Sequence, residues 1–123
     1  MLSQKDNEYS PFIFVLWLQI SIFNSMTLIK SISGIRGTVG GRPGDNLTPL
    51  DIVKFVSAYA TWLKTGAGKT RAKIVLGRDA RISGEMYAKL VEATLSGLGH
   101  DVVNIGLATT PTTEIAVTAE QAD

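Results

Sequence analysis

Cysteine is absent from the 123 residues, and histidine occurs once, at His100. The first absence excludes disulfides, thiolate metal centres and cysteine nucleophiles; the second excludes a histidine pair or an all-histidine metal site. His100 falls just past an expected helix end and reads as a polar turn residue. An excess of one charge is missing too, since 12 Lys and Arg face 11 Asp and Glu, a net +1. Nucleic-acid binding calls for a basic stripe, so no nucleic-acid partner is expected. Nor is there a membrane-length apolar run. Residues 11–23 (PFIFVLWLQISIF) are interrupted by Gln19 and fall short of the ~20 residues a span needs. The basic lead and small-residue cleavage site of a signal peptide are also lacking, because Lys5 is offset by Asp6 and Glu8.

What is there reads as one globular domain: 45% hydrophobic and 19% charged residues suit a packed core in a chain of this length. Residues 1–25 are expected to be an upstream extension outside the fold, with the native start at Met26 and the domain over residues 26–123; a weak signal or anchor peptide is the alternative reading of this segment. No membrane association is expected, and the lack of cysteine fits the cytoplasm.

From Met26 the patterns alternate. Residues 28–35 (LIKSISGI) suit a strand, and a glycine-rich loop follows. Residues 49–65 are a strong helix, with Thr48 as N-cap, Pro49 at the first position and Asp51 at capping-box spacing. Ile52, Phe55, Val56, Tyr59, Trp62 and Leu63 recur at helical spacing as one core-facing stripe, and Gly66 stops the helix. KIVLG, residues 73–77, suits a buried strand. Ser83 is placed to cap a second helix through Met86, Leu90, Val91, Leu95 and Leu98, ended by Gly99. DVVNIGL, residues 101–107, is a third strand, and Thr110-Pro111 opens a third helix. The order β-α-β-α-β-α predicts the α/β class, a three-layer α/β/α domain around a mostly parallel sheet. Ligands in such sheets bind beyond the carboxyl ends of the strands. That places residues 33–37, 78–81 and 108–110 together.

The loop SISGIRGTVGGRPGD, residues 31–45, surrounds Arg36 with bare backbone. Clustered glycine marks positive-φ turns or close backbone approach, and a guanidinium among free N–H groups suits a phosphate oxygen. A plain surface loop is the competing reading. GAGKT at residues 66–70 imitates a phosphate-binding loop, but that motif requires glycine where Leu63 stands and runs from strand to helix, whereas this segment runs from helix to strand. Lys69, Arg71 and Lys73 are therefore expected to be a solvated basic turn. In GRDARISGE, residues 77–85, Arg78, Asp79 and Arg81 precede a helix start. They suit either an anion site or a self-paired turn, and the second reading is favoured. No carboxylate pair has acid/base spacing, and no histidine lies near Ser33, Ser83 or Thr109 to act as a base.

Taken together, SGIRGT, GRDARISGE and IGLATTPT, in this order and spacing, resemble the first domain of the α-D-phosphohexomutases, the family of phosphoglucomutase, phosphomannomutase and phosphoglucosamine mutase. The resemblance runs from about Met26 to the last residue. It implies a parent enzyme that interconverts hexose 1-phosphates and hexose 6-phosphates through a phosphoserine, a bisphosphorylated sugar and Mg²⁺. It assigns Arg36 a catalytic place beside the transferring phosphoryl group, Ser33, Gly34 and Gly37 to the shape of that loop, and Arg78, Asp79 and Arg81 to a cleft-side organising turn. The family's phosphoserine, metal, sugar and phosphate loops are not among these residues, nor is the fourth strand. The chain is thus expected to be an amino-terminal piece, inactive by itself, that binds no metal and relies on downstream domains. The lead Lys30-Ser31-Ile32-Ser33 departs from the family's aromatic-Gly-Thr pattern and leaves the sugar open. A stand-alone α/β module that binds a phosphorylated sugar or a protein is the alternative.

Overall fold

The computed structural model describes residues 26–123; the expected extension over residues 1–25 lies outside them. The described elements are β1 (Ile29–Ser31), β2 (Gly34–Arg36), α1 (Pro49–Thr65), β3 (Lys73–Arg78), α2 (Gly84–Gly97), β4 (Asp101–Leu107) and α3 (Thr110–Ala119). The class is α/β, as the alternation predicts. No helix among the described residues is long and apolar enough to cross a membrane.

The central pair is parallel. β3 and β4 run in register from Lys73 opposite Asp101 to Leu76 opposite Asn104, then shift so that Gly77 faces Gly106 and Arg78 faces Leu107. The extra residue is absorbed at Gly106, whose φ of +69° only glycine adopts freely. α2 packs on both strands, α1 packs on α2, and α3 packs on β3. Ala60, Leu63, Ala72, Ile74 and Leu95 form the core, with Val56, Val91 and Val102 against it.

Residues 28–35 are not one strand of this sheet. They form an antiparallel hairpin with Ile29 opposite Arg36 and Ser31 opposite Gly34, separate from the β3–β4 pair. Gly34, at φ +113°, reverses the chain after Ile32 and Ser33, and the Ser31 hydroxyl donates to the Gly34 carbonyl at 3.2 Å. The partial alternation that suggested one long strand is shared by two short ones.

Thr48 and Asp51 form the expected capping box, with Pro49 at the helix start. α1 ends at Thr65 with Gly66 as its C-cap, as expected, though Gly66 keeps a right-handed φ of −83°; the left-handed glycine of this turn is Gly68, φ +66°. The aromatic stripe is only half core. Val56, Ala60 and Leu63 face inward, while Tyr59 and Trp62, 44% and 58% exposed, stack on each other outside with ring centroids 6.1 Å apart. They sit one residue, and so about 100°, around the helix from the buried row.

Ser83 occupies the N-cap position of α2 but makes no side-chain capping bond. The far end follows the expected glycine rule. Gly99, at φ +88°, donates to Ser96 and His100 to Leu95, the paired bonds of a Schellman motif. α3 is capped one residue earlier than expected, by Thr109, which accepts from the Thr112 N–H at 3.4 Å. Pro111 consequently takes the second helical position rather than the first.

Candidate functional site at the carboxyl ends of the strands

Arg36 ends β2, and the chain then runs through Gly37 against Leu47. A Cβ on Gly37 would lie 3.0 Å from both the Leu47 Cβ and the Leu47 N–H nitrogen, and 3.4 Å from the Leu28 Cα. Here the glycine serves close backbone approach. Arg36 has no carboxylate within ion-pair distance among the described residues.

The loop is tied to both helices behind it. Asp51 is buried and accepts from the Gly44 N–H at 2.9 Å and the Thr48 N–H at 3.0 Å. Its bonds to Thr48, opposed by the cost of burial and helped by the Gly44 N–H and Lys54, hold the carboxyl below its ordinary range. Tyr87 on α2 donates its hydroxyl to the Leu47 carbonyl at 2.9 Å. Burial pushes its ionisation up, so the hydroxyl remains a donor.

Beyond β3, Asp79 organises the turn. Its carboxylate accepts from the Arg81 N–H at 3.1 Å and pairs with the Arg81 guanidinium at 3.2 Å, while Arg78 donates to the Asp79 carbonyl at 3.3 Å. Gly84 donates its N–H to the Arg81 carbonyl at 2.9 Å, so the first amide of α2 is already engaged. A Cβ on Gly84 would stand 3.1 Å from the Asp79 carbonyl oxygen.

These pieces meet in a cleft of about 360 Å³ that brings Arg36 and Gly37 together with Asp79, Arg81, Ser83, Gly84 and Tyr87. A second hollow of about 430 Å³ on the other side of the turn joins Arg78 and Asp79 to Leu107, Ala108 and Thr109. The three expected loops therefore meet pairwise, with Asp79 shared. Ser33 and Gly34 lie at the exposed hairpin tip and do not line the Arg36 cleft. Tyr87 and the second role of Asp51 escape a reading of the sequence. Asp51 carried a signal, its capping-box spacing, but its reach to Gly44 needs the loop to fold back. Among the described residues, no group of three or more His, Asp or Glu is placed to hold a metal ion.

At the opposite end of the strands, the basic turn of Lys69, Arg71 and Lys73 is largely solvent-exposed as expected, and each side chain is also paired. Lys69 meets Asp123 at 2.6 Å, Arg71 meets Asp101 at 2.5 Å and Lys73 meets Glu120 at 3.1 Å. His100 is the polar turn residue expected past the end of α2, and it is buried there, 4% exposed, its Nδ1 accepting from the Ala72 N–H at 3.1 Å.

An α/β domain that gathers Arg36, an Arg-Asp-x-Arg turn and a threonine-capped helix at the carboxyl ends of its strands belongs to a defined class. The model of the phosphoglucomutase/phosphomannomutase alpha/beta/alpha domain I family matches residues 28–123, and the chain belongs to that family. A phosphoglucosamine mutase of Chromohalobacter salexigens is 43% identical over 79 residues, covering 63% of this chain and 17% of that protein. A phosphoglucomutase/phosphomannomutase of Thermococcus kodakarensis is 40% identical over 92 residues, 71% of this chain and 19% of that protein. A phosphoglucosamine/phosphogalactosamine mutase of Sulfurisphaera tokodaii is 38% identical over 84 residues, 68% and 16%. The chain spans less than a fifth of the length of these relatives.

Proposed function

We propose that this chain supplies the first domain of a phosphohexomutase, which interconverts hexose 1-phosphates and hexose 6-phosphates in the cytoplasm. The observation that carries the reading is the cleft that Arg36 shares with the Asp79–Arg81 turn, with no carboxylate among the described residues within ion-pair distance of Arg36. A phosphoryl group in transfer spreads negative charge over its equatorial oxygens, so catalysis rests on positioning and on fixed positive charge. Arg36 supplies that charge as a catalytic residue. Arg81 is tied to Asp79 and, with Arg78, shapes the wall. Gly37 lets the backbone close on Leu47, and Ser33 and Gly34 form the tip that presents the loop.

The phosphorylated hexose is the partner in this reading, and neither nucleic acid nor membrane is. The phosphoserine loop of the parent enzyme is assigned to the rest of the first domain, just after residue 123, and the Mg²⁺ loop to a later domain. Among the described residues no group of three or more His, Asp or Glu is placed to hold a metal ion, and no step is assigned through the metal. The 123 residues alone are accordingly expected to show no turnover, and residues 1–25 are a dispensable extension.

The test joins residues 26–123 to the remainder of the Chromohalobacter salexigens relative, from the end of its first domain with the phosphoserine loop onward, and follows conversion of glucosamine 6-phosphate and glucose 1-phosphate. Arg36→Ala should lower kcat and kcat/KM together by ~10²–10³-fold with an unchanged melting midpoint. Arg36→Lys should recover only part, because a point charge lacks the bidentate fork. Arg78→Ala should affect folding more than kcat. Near-normal kcat in folded Arg36→Ala would remove the role.

A further inference from the structure

We infer that Asn46 is the positioning residue for Arg36, acting through a closed hydrogen-bond network at the base of the β1–β2 hairpin. The inference rests on the reading of Arg36 given above. The hairpin ladder ends with Ile29 opposite Arg36, and two residues beyond each, Thr27 and Thr38 meet through the Thr27 side chain, whose Oγ1 accepts from the Thr38 N–H. Asn46 reaches this rung from the far end of the glycine-rich loop. Its Nδ2 donates to the Thr27 Oγ1 at 3.0 Å and to the Thr38 Oγ1 at 2.9 Å, while its Oδ1 accepts from the Arg42 N–H at 3.2 Å.

Counting donors and acceptors fixes every proton in the network. The Thr27 oxygen already accepts from the Thr38 N–H at 3.0 Å and from Asn46, which uses both of its lone pairs. In the close contact between the two hydroxyls, Thr27 must therefore donate and Thr38 accept. The Thr38 oxygen, accepting from Asn46 and from Thr27, then has both of its lone pairs in use. The carboxamide cannot be turned over, since that would set its NH₂ against the Arg42 N–H.

The network works with backbone bonds from the same loop. Thr27 and Leu28 donate to the Asp45 carbonyl at 2.8 and 3.0 Å, and Leu47 donates to the Thr38 carbonyl at 2.9 Å. Both legs of the hairpin are thus held to one loop segment, and Asn46 is the side chain that grips both at once. A hairpin of three-residue strands is not stable by itself. Two residues from the clasp, Arg36 takes its direction from this base, and an error of ~1 Å at a group that meets a reacting phosphoryl costs up to ~10²-fold.

The experiment has two arms. In the ¹⁵N-labelled 123-residue chain, amide hydrogen exchange is compared for Asn46→Ala, Thr38→Val and Thr38→Ser. Exchange at Arg36 and Thr38 should quicken about tenfold in the first two and stay near native in Thr38→Ser, which keeps the hydroxyl, while the Leu95 and Ile74 amides do not change. In the fused enzyme, Asn46→Ala should lower kcat about tenfold with KM nearly constant, and should have no further effect on top of Arg36→Ala. Native exchange at Arg36 in Asn46→Ala, or equal loss in Thr38→Ser and Thr38→Val, overturns the inference whatever the enzyme does. An additive effect of Asn46→Ala and Arg36→Ala overturns it as well. A normal kcat in Arg36→Ala alone instead counts against the catalytic reading, so the two failures are told apart.

Discussion

The two ends of the β3–β4 pair are built in opposite ways. At the amino end nearly every charged group has a partner: Arg71 with Asp101, Lys73 with Glu120 and Lys69 with Asp123. The Ala72 N–H is satisfied by a buried imidazole, and the Asp123 N–H closes on the Lys73 carbonyl at 2.9 Å. At the carboxyl end the backbone is held tightly, through Asp51, Tyr87 and Asn46, while Arg36 lines a cleft whose carboxylate, Asp79, is paired with Arg81. The same residue types thus serve opposite ends. Basic groups at the amino end are neutralised and spent on closing the fold. At the carboxyl end the scaffold holds the loop, and among the described residues Arg36 has no carboxylate within ion-pair distance.

The comparison is sharpened first by a substitution in the shared core. Leu95 is 2% exposed, and Leu95→Ala should destabilise the domain by about 2–5 kcal/mol in urea unfolding. A smaller loss would mean that the core does not bind the two ends into one unit. Next, His100→Leu leaves the buried Ala72 N–H without its acceptor. It also removes Nε2, which has no partner among the described residues. The net loss should be about 1 kcal/mol, with the response of Arg36 to phosphate unchanged. A loss of that response would show that the ends are coupled.

Acid comes third. Hydrogen bonds from Arg71 and from Lys69 lower the Asp101 and Asp123 carboxyls, as Thr48 lowers Asp51. The ordinary value is 3.8, and these groups lie below it when folded. Their contribution is therefore complete above that value and is lost as the pH falls through the lower folded values. The thermal midpoint should be flat down to about pH 5 and drop below about pH 4, and Asp101→Asn should reduce that slope. A midpoint that rose on acidification would contradict the pairing. Smallest of all, Arg71→Ala should leave the midpoint at neutral pH nearly unchanged, because both partners are largely exposed and screened. A large drop there would make the amino-end pairs more than local fastening.

The helices and the β3–β4 pair were legible because caps, glycine stops and periodicity are local. Thr48, Asp51 and Pro49 announce α1, and Gly99 ends α2 with the bonds its position implies. What failed to show depended on distance along the chain. The partner of Lys69 lies at Asp123, beyond α3, so no local pattern reveals that the basic turn is neutralised. The hairpin was read as one strand because its reversal rests on the backbone of Gly34, while side-chain alternation continues through it. Trp62 read as core because the stripe on α1 is wider than the surface α2 covers. At the site, the sequence brought Arg36 and the Asp79 turn together in prospect, but it carried no sign that Asn46 and Tyr87 hold the loop from behind.

The central claim is that the carboxyl end is open to an anion and the amino end is not. It is tested most directly by titrating inorganic phosphate, then glucose 1-phosphate, into the ¹⁵N-labelled chain. Saturable shifts are expected at Arg36, Gly37, Arg81 and Gly84, with Ala72, His100 and Asp101 unmoved. Shifts centred on the amino-end residues, or none at Arg36, would contradict it.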